Sequence, residues 1–123
     1  MQSILVIEDN AAIRENTAEL LELSGYKVLT EPNGSTGFTT AKATHPDVII
    51  CDIMMPETDG LRFLKLIKSD YTTANIPLIF FSAGSAPAGV KKKIEPGADI
   101  YLSKPFTDED LLSAVTQCLS KKN

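Results

Sequence analysis

Val48-Ile49-Ile50-Cys51-Asp52 is a run of apolar, largely β-branched residues closed by one carboxylate. It is too short for a helical stripe, and it does not alternate. A short, continuous apolar run fits a strand covered on both faces, as in a parallel sheet. Three stretches elsewhere share this form. Ser3-Ile4-Leu5-Val6-Ile7 ends in Glu8-Asp9, Pro77-Leu78-Ile79-Phe80-Phe81 ends in Ser82, and Ile100-Tyr101-Leu102-Ser103 ends in Lys104-Pro105. Tyr26-Lys27-Val28-Leu29-Thr30 alternates instead, which suits an edge strand.

Helical signals separate these runs. Asn10 is placed to cap a helix bearing Ile13, Ala18, Leu20, Leu21 and Leu23, with Gly25 suited to the residue after its end. Gly34 to Ala43 is a weaker helix, because Thr39 and Thr40 lower its propensity. Leu61, Phe63, Leu64 and Ile67 mark a third. A short, frayed helix is expected at 88–95, weakened by Gly89 and stopped by Pro96. Thr107 caps the last, with Asp110 three residues on and Leu111, Leu112, Val115, Cys118 and Leu119 facing inward. Five βα units imply an α/β fold: a parallel sheet, right-handed crossovers and helices on both faces.

The 123 residues are one domain's worth of chain, read as a single unit over 1–123. Hydrophobic residues make up 43% and charged residues 23%, which excludes a disordered class. With 12 basic against 16 acidic side chains the net charge is −4, so no direct nucleic-acid contact is expected. No apolar stretch approaches the roughly 18 residues of a membrane span. The run at Ile4 lies too near Met1 to leave room for a signal peptide. Cys51 and Cys118 are read as reduced, semi-buried thiols, which suits a cytoplasmic protein. His45 is read as a surface loop residue.

The chemistry gathers at strand ends. Glu8, Asp9, Asp52, Ser82 and Lys104 all follow apolar runs, and ligands of open α/β sheets bind outside the carboxyl ends of the strands. Carboxylates about 5 Å apart repel by roughly 3 kcal/mol per pair at an effective dielectric near 20. Either their pKa values rise or a cation joins them. Oxygen ligands without a His and Cys cluster favour a hard ion such as Mg2+. An Asp nucleophile, a divalent ion, a Lys and a hydroxyl together describe a phosphoryl-transfer site.

In its ordered motifs the chain resembles the response-regulator receiver domains of two-component signalling, including the single-domain chemotaxis regulators. The motifs are Ile7-Glu8-Asp9-Asn10, Cys51-Asp52-Ile53-Met54-Met55-Pro56, Thr58-Asp59-Gly60, Phe81-Ser82-Ala83 and Tyr101-Leu102-Ser103-Lys104-Pro105-Phe106. The resemblance implies a three-layer, flavodoxin-like (βα)5 fold with strand order 2-1-3-4-5. It implies Asp52 as phosphoacceptor, with Mg2+ held by Glu8, Asp9, Asp52 and the Met54 carbonyl. Lys104 would pair with the phosphoryl group, and Ser82 would hydrogen-bond it. Ser82 and Tyr101 would form the switch, Tyr101 turning inward as Ser82 moves. Pro105 would follow a cis peptide bond. The implied phosphodonor is a sensor histidine kinase or a histidine phosphotransfer protein, and the output partner is an unidentified protein or domain.

Two other readings compete with this one. Aspartate-nucleophile phosphohydrolases carry a second Asp two residues after the first, where this chain has Met54. That favours a signalling domain over an enzyme. A degenerate receiver acting as a constitutive binding module would not need Asp52, Lys104 and the acidic pair. The only arginines are Arg14 and Arg62, both outside the region of the fourth helix, fifth strand and fifth helix. The arginine-paired dimer of many DNA-binding regulators is therefore not expected. Lys91, Lys92 and Lys93 read as a solvated helix face. Ile100 reads either as a partner contact or as buried beneath the helix at 88–95.

Overall fold

Strand β3 (Val48–Asp52) is buried along its whole length, as an unbroken apolar run requires. The computed structural model describes residues 1–53, 60–82, 97–102 and 106–121. Within it β3 lies between β1 (Ser3–Ile7) and β4 (Leu78–Phe81). Strands β2 (Lys27–Glu31) and β5 (Ile100–Leu102) close the two edges. The order is β2-β1-β3-β4-β5 and every pairing is parallel, as the resemblance implied. Among the described residues the helices are α1 (Ala11–Leu23), α2 (Gly34–Thr44), α3 (Gly60–Ser69) and α4 (Asp108–Lys121).

Alternation along each strand divides the core between the two faces of the sheet. Leu5, Ile7, Ile49, Cys51, Leu78 and Phe80 pack with Ala41 of α2 and with Phe63, Leu64 and Ile67 of α3. Ile4, Val6, Val48, Ile50, Ile79 and Phe81 pack with Leu21 of α1 and with Leu111, Val115 and Cys118 of α4. The two cysteines thus sit on opposite faces, not joined by a disulfide and buried rather than semi-buried.

Ile100 is half-buried and packs in the α4 cluster with Leu102. Tyr101, between them, turns to the other face and packs against the cluster of Phe80 and Phe63. The residue parity of the strand decides this. The expected helix at 88–95, the lysines at 91–93 and the peptide bond before Pro105 lie outside the described residues.

Local chemistry sets the ends of the elements. The Asn10 side chain accepts from the Ile13 N–H at 3.0 Å, and Asn33 accepts from Thr36 at 2.9 Å. Thr107 and Asp110 form the full reciprocal box: the Thr107 N–H donates to the Asp110 carboxylate at 2.9 Å, and the Asp110 N–H donates to the Thr107 hydroxyl at 3.1 Å. Gly25, at φ 98°, takes the left-handed conformation after α1. At the amino end of the sheet, Asp47 accepts from the Ser3 N–H and Asp99 from the Leu78 N–H, each at 2.8 Å. These two carboxylates occupy equivalent positions before β3 and β5 and tie down the strand alongside.

Candidate functional site

The chain leaves β1 to form β2 on one side, while β3 lies on the other. This reversal opens a crevice at the carboxyl ends of β1 and β3. Ile7 is paired with Cys51, so Glu8 and Asp52, one step further along, emerge side by side. Carboxylate oxygens of Glu8, Asp9 and Asp52 lie within 4.8 Å of one another. Asp52 is paired with Phe81, which sets Ser82 one step beyond it on the neighbouring strand. Asp52 and Ser82 are 3% and 4% exposed, and Asp9 is the solvent-facing member of the group.

Glu8 is fixed from several directions. Its N–H donates to the Glu31 carbonyl at 3.1 Å, extending the β1–β2 ladder by one residue. Its Oε2 accepts from the Asn10 N–H at 3.0 Å. Its Oε1 is buried and, among the described residues, is the one buried side-chain polar atom with no hydrogen-bond partner. Burial pushes the Glu8 carboxyl up to about 8, and the neighbouring carboxyls of Asp9 and Asp52 push the same way. The Asn10 N–H works against them. Burial also raises the Cys51 thiol well above its ordinary value, with Asp52 and Glu8 adding to the effect, so Cys51 is an inert core residue.

A buried carboxylate oxygen without a partner, on a side chain grouped with two further carboxylates, fits a hard cation. A divalent ion would give Oε1 its missing partner and offset the mutual repulsion of the three acids. The donor set is all oxygen, as Mg2+ prefers.

Sequence reasoning brought Glu8, Asp9, Asp52 and Ser82 to this crevice; the three acids are grouped there, and Ser82 follows the end of β4 beside them in the sheet. Met54 and Lys104 lie outside the described residues. Tyr101 is half-buried on β5, beside Phe80 of β4 in register. Sequence reasoning missed Arg14. Its Nη1 donates to the Glu8 carbonyl at 2.8 Å and to the Asp9 carbonyl at 3.4 Å.

The family model for the response regulator receiver domain matches residues 4–116. The chain belongs to this family. The receiver domain is 32% identical over 120 residues to the phosphate regulon transcriptional regulatory protein PhoB of Pseudomonas aeruginosa, covering 98% of this chain and 52% of that protein. It is 36% identical over 112 residues to the protein PilG of the same species, covering 91% of this chain and 83% of PilG. Among solved structures, it superposes with a TM-score of 0.88 on a signal receiver domain of a signal transduction histidine kinase from Syntrophus aciditrophicus. That match is 34% identical and covers 98% of this chain and 92% of the other. The receiver domain spans about half the length of the transcription regulators it matches, and most of PilG. No described helix is long and apolar enough to cross a membrane.

Proposed function

We propose that this receiver domain is a phosphorylation switch that takes a phosphoryl group from a phosphohistidine donor onto Asp52 in a Mg2+-dependent reaction. The donor would be a sensor histidine kinase or a histidine phosphotransfer protein in the cytoplasm. The observation that carries the reading is the cluster of Glu8, Asp9 and Asp52 carboxylates within 4.8 Å, with an orphaned oxygen on Glu8.

Glu8, Asp9, Asp52 and the Met54 carbonyl would hold the ion. Bound Mg2+ would neutralise the carboxylates and the phosphoryl oxygens. An Asp52 carboxylate oxygen attacks phosphorus, a P–O bond forms, and the P–N bond to the donor imidazole breaks with its electron pair leaving on nitrogen. The Ser82 hydroxyl donates to a phosphoryl oxygen, and the Lys104 ammonium pairs with another. Ser82 then carries the change toward Tyr101 and the output face. Burial of Asp52 and Ser82 supports this reading, because a dry crevice strengthens each of those contacts. The Met at position 54 supports a signalling role over hydrolysis, since it supplies no general acid.

Incubation with Mg2+ and a small acyl phosphate, followed by intact mass measurement, tests the reading. Wild type is expected to gain one phosphoryl group and Asp52→Ala none. An adduct that persists in Asp52→Ala, or a wild type that never acquires one, overturns it.

A further inference from the structure

We infer that Arg14 is a positioning residue for the acidic turn, holding Asp9 where it completes the cation site. The inference rests on reading that turn as a Mg2+ site. Arg14 stands in the first turns of α1, where its own N–H donates to the Asn10 carbonyl at 2.9 Å. Helical side chains lean toward the amino end of their helix, so the guanidinium reaches back over the β1–α1 turn. Its Nη1 donates to the carbonyls of Glu8 and Asp9, which belong to the two peptide groups flanking the Asp9 α-carbon. Fixing both peptides fixes the backbone angles that aim the Asp9 side chain.

Glu8 has other restraints: the ladder bond to Glu31 and the Asn10 N–H on its carboxylate. Asp9 is exposed, and nothing buries it into place. Its membership of the 4.8 Å cluster therefore depends on the backbone beneath it. The guanidinium binds carbonyls and leaves the carboxylates to the ion.

Two readouts on the full chain test this: Mg2+ affinity by calorimetric titration, and amide hydrogen exchange. Arg14→Ala should weaken Mg2+ about tenfold, the usual cost of losing an outer partner of a metal ligand. It should speed exchange at Asn10 while leaving Leu5 and Ile50 unchanged. Arg14→Lys, which can reach a carbonyl with one donor, should recover part of the affinity. Affinity within twofold of wild type in Arg14→Ala overturns the inference. So does faster exchange throughout β1 and β3, which would mark a purely structural role. A wild type that takes up no Mg2+ overturns the proposed function instead. The Asn10 rate then decides alone, and an unchanged rate in Arg14→Ala overturns the hold on the turn.

Discussion

Glu8 carries the conflict between folding and function in a single side chain. The residue is 1% exposed, and burial lifts its carboxyl from an ordinary value of 4.5 to about 8. Between those two values the folded chain keeps a proton that the unfolded chain has released. The folded state then binds more protons, so its stability falls as pH rises through that window. In the presence of a chelator, the thermal midpoint of wild type should decline from about pH 4.5 to about pH 8 and level off above. Saturating Mg2+ should flatten the decline, because the ion replaces the proton as the partner of Glu8. Glu8→Gln should remove most of the slope without metal and weaken Mg2+ at least about tenfold. A midpoint in chelator that rises across the same window would show that the carboxyl is not held in its neutral form.

At the scale of elements, the approach of α2 to the sheet is set by one missing methyl. A Cβ on Gly37 would lie 2.5 Å from Cδ1 and 2.9 Å from Cγ1 of Ile7, which is fully buried. Gly37→Ala gains up to about 1 kcal/mol of helix propensity, but overpacking a filled core costs about 1–3 kcal/mol. The net expectation is a loss of about 1 kcal/mol in a urea titration. Adding Ile7→Val deletes Cδ1 and should restore part of that loss, so the two changes should be non-additive. Ile7 adjoins Glu8, and the same helix contact therefore bears on the acidic turn. The helices and strands were largely legible in the sequence, because continuous apolar runs and side-chain caps are local signals. The ends that moved were decided by partners. Tyr26 gives its N–H to Leu21 in the closing turn of α1, so β2 starts at Lys27. Pro77 has no N–H to give, and β4 starts at Leu78. The acids of the site were legible as strand endings. Arg14 was not, since nothing in a linear pattern says that a guanidinium turns back onto two carbonyls. The face taken by Ile100 depended on strand parity against a sheet not yet assembled.

In the whole molecule, strand order explains where the site forms. Because β1 and β3 are neighbours with opposite onward connections, the acids converge at the carboxyl edge of the sheet while the apolar residues fill both faces. The surface left outside is acidic overall, with a net charge of −4. An arginine-paired dimer across the β5–α4 side needs guanidinium groups to meet that side's acids, and Asp108, Glu109 and Asp110 open α4 there. The two arginines are placed elsewhere: Arg14 is engaged with the carbonyls of the acidic turn, and Arg62 lies on α3. The arginine pairs that would meet those acids across a two-fold axis are therefore missing. The receiver domain is therefore expected to stay monomeric in light scattering, both alone and after treatment with Mg2+ and a small acyl phosphate. A doubling of mass on phosphorylation that is lost in Asp52→Ala would show that another set of contacts carries a phosphorylation-dependent dimer.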